Sequence, residues 1–135
     1  MAQFLEDTAG ENILQIILRG HLYIERQLTS FLELALKEPR EVIKERTSYG
    51  NKLSLAYAIG ILSKDDKDTC KKIGDIRNSY AHKWGFELTE DEFDKLISTF
   101  TGDLKELYIY NIKNNVTLPS RLAIAIGVIF IIFEF

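Results

Sequence analysis

Near the start of the chain, Leu14, Ile17, His21, Ile24, Leu28, Phe31 and Ala35 recur at steps of three and four. At about 100° per residue this spacing puts them on one stripe of an α-helix. A stripe of that length has to bury against other elements, so it commits the rest of the chain to covering it. The pattern predicts a helix from Gly10 to Lys37, closed by Pro39, which cannot continue the hydrogen-bond ladder and biases its predecessor away from helix.

The remaining segments read in the same period. Arg40 to Ser48 is a charged connection or a short turn of helix, and a second helix follows from Tyr49 to Leu62 with Leu53, Tyr57 and Ile61 on one side. Ser63-Lys64-Asp65-Asp66 caps a third, whose stripe is Cys70, Ile73, Arg77, Tyr80, Ala81 and Trp84, with Gly85 as its stop. Thr89-Glu90-Asp91-Glu92 is a capping box with three acids at the positive end of the helix dipole, opening a fourth helix that runs through Phe93, Leu96, Ile97, Phe100, Leu104, Leu107 and Tyr108. Asn114-Asn115 interrupts the pattern, and Pro119 suits the first turn of a final segment over 118–135. The expectation is an all-α chain, a single domain over residues 1–135, folded as an antiparallel bundle of about five helices.

The final segment is apolar from Leu122 to Phe133, shorter than the roughly 20 residues a bilayer requires. A membrane anchor is therefore disfavoured, and the segment is expected to be a core helix or a dimer-interface helix. Its Ile and Val content leaves a strand as the alternative.

Composition removes several classes. With 135 residues, 46% of them hydrophobic, the chain suits one core, and 2 Pro with 8 Gly exclude a collagenous or low-complexity protein. The single cysteine, Cys70, cannot close an internal disulfide, and one cysteine with two scattered histidines gives no zinc-ligand spacing. Neither a metal nor another cofactor is expected. A net charge of −3 argues against coating nucleic acid nonspecifically, so any nucleic-acid contact has to be local. The first 20 residues lack a basic leader and a small-residue cleavage pattern, so a cytoplasmic protein is expected.

The informative residues are polar where the period calls for apolar. His21 and Glu25 lie one turn apart among Ile17, Ile24 and Leu28, and Arg77 lies between Ile73 and Tyr80. A buried unpaired charge is costly, so these groups should pair, with Arg77 and Glu25 fixing helix register, or face a cleft. Around Arg77 the string Arg77-Asn78-Ser79-Tyr80-Ala81-His82-Lys83 gathers an arginine, an asparagine and a histidine. Arginine grips phosphate oxygens and stabilises charge growing on a phosphorane, and histidine can move the proton of a ribose 2′-hydroxyl. Arg77 and His82 are about 140° apart around a regular helix, so they cannot meet on one face of it. Either the helix ends, or a twofold-related copy supplies the missing member of each pair. From Lys64 to Lys83 there are six basic and four acidic residues, and from Glu87 to Glu106 two basic and seven acidic. That asymmetry puts a modest basic patch with Lys71, Lys72 and Lys83 beside the string, next to an acidic face.

The string resembles the signature of the HEPN superfamily, all-helical domains marked by Arg, four to six residues, then His, often with Asn after the Arg. Within it the chain is most similar to the mannitol operon repressor branch, through Arg19-Gly20-His21-Leu22-Tyr23-Ile24-Glu25, then Lys52-Leu53 with Ala58-Ile59-Gly60-Ile61-Leu62, then Arg77-Asn78 and His82. These features span roughly residues 10 to 100. The resemblance implies a dimeric helical bundle and, in many relatives, a metal-independent endoribonuclease of toxin-antitoxin or phage-defence systems. On that basis Arg77, His82 and Asn78 are the catalytic candidates. Lys83, Lys72 and Tyr80 are candidates for holding RNA, and His21 and Glu25 for supporting the site. A tyrosine two residues after the histidine, which an antitoxin modifies in one toxin branch, is replaced by Trp84. The mannitol repressor branch is described as regulatory, so the alternative is a noncatalytic module that engages an antitoxin-like or regulatory protein through its acidic fourth helix or its apolar tail. No helix-turn-helix is evident.

Overall fold

The computed structural model describes residues 2–8, 10–114 and 117–133. Among them are eight helices and no strand: α1 (Ala2–Thr8), α2 (Ile13–Ala35), α3 (Pro39–Val42), α4 (Tyr49–Ala58), α5 (Lys64–His82), α6 (Glu90–Ile97), α7 (Gly102–Ile112) and α8 (Leu118–Phe133). The chain is thus an all-α helical bundle.

Helix α2 is the hub, packing against α1, α3, α4, α5 and α8. Asn12 and Gln15 close a reciprocal capping box at its start: the Gln15 amide donates to Asn12 Oδ1 at 2.9 Å, and the Asn12 amide to Gln15 Oε1 at 3.0 Å. Its buried stripe is Ile16, Ile17, Gly20, Ile24, Leu28 and Leu32. The expected stripe is therefore rotated. Leu14 and Ala35 are exposed, while His21 and Phe31 are half-buried. Gly20 lies on the buried face. A Cβ there would lie 2.8 Å from both Cδ1 and Cγ2 of Ile126, so the missing side chain is what lets α8 approach α2 closely.

Helix α8 settles the ambiguous tail as helix. Leu122, Ala125, Ile126 and Val128 are fully buried in the chain's own core, which removes the need for a partner to cover it. No helix among the described residues is long and apolar enough to cross a membrane. The expected interruption falls at Asn114, while Asn115, Glu134 and Phe135 lie outside the described residues. Helix α1, which the sequence pattern did not suggest, docks on α8 through Phe4, edge-on to Phe130 with ring centres 4.9 Å apart.

Three expectations need correction. The fourth helix is two, because Ser98 and Thr99 turn their hydroxyls back onto the carbonyls of Lys95 (2.7 Å) and Leu96 (2.6 Å), which competes with the helical ladder. Gly102 then opens α7 at φ +53°, a conformation that favours glycine. The second helix stops at Ala58, followed by Gly60 at φ +85°. The third ends at His82, before Gly85, so Trp84 lies beyond the stripe it was expected to join and is fully exposed. The caps at Ser63 and Thr89 form, their hydroxyls accepting from the amides of Asp66 and Glu92 at 3.1 and 3.2 Å, while the Glu92 carboxylate, expected to close the box at Thr89, is bonded to Lys72 and Lys95 instead.

Candidate functional site

The three string residues stand on α5, which stays helical through His82. The first way of uniting Arg77 with His82, an early helix end, is therefore absent. The two residues line different clefts of one chain. Arg77 and Asn78 share a cleft of about 640 Å³ with His21, Glu25, Tyr49 and Asp75. His82 lines another of about 790 Å³ with Tyr80, Lys83, Trp84 and Phe86.

The Arg77 cleft is assembled from α2, α4 and α5, and its floor is Tyr49. That ring is pinned from two sides: its hydroxyl donates to the Cys70 carbonyl at 2.7 Å, and the His21 ring rests on it with centres 4.2 Å apart. Gly74 makes this fit, because a Cβ there would sit 2.8 Å from Tyr49 Cε1. Burial drives the Tyr49 hydroxyl far above its ordinary pKa, so it remains a hydrogen-bond donor at any ordinary pH.

Glu25 does not pair with Arg77. Its carboxylate lies 3.9 Å from Lys52 Nζ, a cation contributed by α4. Lys71 is engaged by Asp75 at 3.2 Å, one turn along α5. Half-buried Arg77 forms no ion pair among the described residues, and its Nη1 donates only to the neighbouring Asn78 Oδ1, at 3.3 Å. A guanidinium with its fork uncommitted in a cleft suits an oxyanion or phosphate.

His21 feels the same surroundings. Burial lowers its pKa below 6.5; Glu25 pulls the other way and Arg77 adds to the lowering. The imidazole is therefore neutral at pH 7 and able to accept a proton.

Around His82 the parts are more exposed. Tyr80 is a strut there: its hydroxyl accepts from the Leu88 amide at 3.0 Å and its ring meets Phe86 edge-on at 4.8 Å. Lys83 reaches over Phe86, 6.0 Å from the ring centre. Lys72 lines neither cleft; it is held 3.3 Å from Glu92, tying α5 to α6. The expected basic patch is thus partly neutralised, with Lys71 and Lys72 each facing a carboxylate.

The two clefts lie along one face of α2. Leu14 borders the His82 cleft, and Leu18 and Leu22 border the Arg77 cleft. At four-residue spacing these leucines form a seam, each 39–46% exposed, beside fully exposed Trp84. Among the described residues no three His, Cys, Asp or Glu side chains gather into a group that could hold a metal.

Compared with protein-family models, curated proteins and solved structures, the chain matches none significantly. Its chemistry has to be read from the site itself.

The sequence pattern named His21, Glu25, Lys71, Arg77 and Asn78 of the Arg77 cleft and missed Asp75 and the cleft's organiser, Tyr49. The signal available was Gly74, a glycine in mid-helix between the core residues Ile73 and Ile76, where only a close neighbour compensates for its low helix propensity.

Proposed function

We propose that the chain is a HEPN-type, metal-independent endoribonuclease of the toxin or phage-defence kind, acting as a homodimer on single-stranded or looped RNA. The observation that carries this reading is Arg77, a half-buried guanidinium without a carboxylate partner among the described residues, opening into a cleft beside Asn78. Arg77 stabilises the charge that grows on phosphorus, Asn78 orients the phosphate, and His82 exchanges a proton with the 2′-oxygen or the leaving oxygen. The ribose 2′-oxygen attacks phosphorus and the bond to the 5′-oxygen breaks, leaving a 2′,3′-cyclic phosphate and a 5′-hydroxyl.

Arg77 and His82 occupy separate clefts of one chain, so one active site takes Arg77 from one protomer and His82 from the other. The leucine seam and Trp84 supply the apolar contact between copies, and they border the two clefts that a twofold axis has to bring together. The cytoplasm, where RNA is at hand, is the compartment that fits.

The alternative, a noncatalytic module that engages a regulatory protein, keeps one supporting observation: the acidic first turn of α6, with Glu90, Asp91 and Glu92. It loses two of its supports, since Glu25 is paired with Lys52 and α8 is buried in the core. RNA cleavage in excess chelator separates the two readings. The ribonuclease yields cyclic-phosphate ends with wild-type protein and none with Arg77→Ala or His82→Ala. A folded wild-type dimer that leaves every RNA intact points to the module.

A further inference from the structure

We infer that His21 is a second proton-transfer residue of this site, the base that takes the 2′-hydroxyl proton, leaving His82 to donate to the departing 5′-oxygen. The inference rests on the ribonuclease reading above.

Cleavage of an RNA strand by its own 2′-oxygen moves two protons. One leaves the attacking 2′-hydroxyl as the oxygen–phosphorus bond forms, and one arrives on the 5′-oxygen as its bond to phosphorus breaks. The string around Arg77 supplies a single histidine per chain. The chain has a second, and it lines the Arg77 cleft together with Asn78.

Three features fit His21 to the base role. It borders the cleft in which Arg77 would hold the phosphate, so a bound phosphate brings its ribose to the imidazole. Its ring is steadied on Tyr49, which is itself anchored to the Cys70 carbonyl, so the imidazole is pre-positioned by packing. It is also neutral before the reaction, as a base has to be. The charged and titratable groups around it are Glu25 from α2, Tyr49 and Lys52 from α4, and Lys71, Asp75 and Arg77 from α5. Glu25 stands one turn from His21 and favours the imidazolium once the proton has been taken.

The test compares wild type, His21→Phe, His21→Ala, Arg77→Ala and His82→Ala on one RNA oligonucleotide. Binding is measured with the same oligonucleotide carrying a 2′-deoxyribose at the cleaved position. His21→Phe keeps an aromatic ring against Tyr49 and removes the proton acceptor. It is expected to melt and bind like wild type, with kcat lower by about 100-fold or more. The limb of the kcat profile that rises with pH should vanish in it, and imidazole in solution should restore part of the activity of His21→Ala. If His21→Phe keeps wild-type kcat and the rising limb while Arg77→Ala and His82→Ala are dead, His21 only packs against Tyr49 and the inference falls alone. If His21→Phe loses binding with kcat unchanged, it falls likewise. If wild type, Arg77→Ala and His82→Ala all behave alike on RNA, the ribonuclease reading itself has failed and the inference goes with it.

Discussion

The contact between Gly20 and Ile126 holds α8 against the hub helix, and its energetics can be worked out before any measurement. Replacing an exposed mid-helix glycine with alanine stabilises a protein by about 1 kcal/mol through helix propensity. At Gly20 the new Cβ would lie 2.8 Å from two branches of Ile126, so turning χ2 moves Cδ1 but leaves Cγ2 in contact, and χ1 is stiff in a β-branched helical residue. Ile126 is fully buried and has nowhere to go. Forcing a methyl into such a site costs about 1–3 kcal/mol, so Gly20→Ala should be neutral or destabilise by up to about 2 kcal/mol. In an Ile126→Ala background, itself destabilised by about 2–5 kcal/mol, the obstacle is gone and Gly20→Ala should stabilise by about 1 kcal/mol. Ile126→Val removes only the Cδ1 contact and should give an intermediate result. Urea unfolding of the four proteins in each cycle measures the coupling directly, expected at about 1–3 kcal/mol. If Gly20→Ala stabilises by the same amount in every background, α8 does not pack on Gly20 and the core described above is wrong.

Tyr49→Phe should cost about 1 kcal/mol from the lost bond to the Cys70 carbonyl, read as a lower urea midpoint with the ring contact to His21 kept; an unchanged midpoint would mean that the hydroxyl does not anchor the cleft floor. Stability should also fall on mild acidification through His21. Its folded pKa lies below the ordinary 6.5, so the unfolded chain binds the proton first, and the stability present above about pH 6.5 is lost as pH falls toward the folded value. The loss between pH 7.5 and 5.5 should be smaller in His21→Phe; equal losses would show that His21 does not titrate differently in the two states.

The helices were legible because their caps and periods are local. Ser63 and Thr89 announced α5 and α6 within a residue. The break between α6 and α7 was less legible, since Phe100 keeps the apolar period across it while Ser98 and Thr99 undo the ladder. Helix α1 depends on Phe4 finding Phe130, a contact between the two ends of the chain that no local pattern encodes. The site divides in the same way. Arg77, Asn78 and His82 stand in one string, and their separation by about 140° follows from helix geometry. Which groups pair across helices did not follow: Glu25 meets Lys52, contributed by α4, and Arg77 forms no ion pair among the described residues.

The most direct test of the central claim mixes two inactive proteins. Arg77→Ala and His82→Ala are each assayed alone on RNA in excess chelator, then unfolded together in equal amounts, refolded and assayed again. A site built from Arg77 of one protomer and His82 of the other predicts no cleavage by either variant. The mixture should recover about a quarter of wild-type activity, because about half of the dimers are mixed and each mixed dimer holds one intact site of two. Cyclic-phosphate ends should return with it. A mixture as inactive as its components, when mixed dimers are shown to be present, would contradict a site shared across the twofold axis.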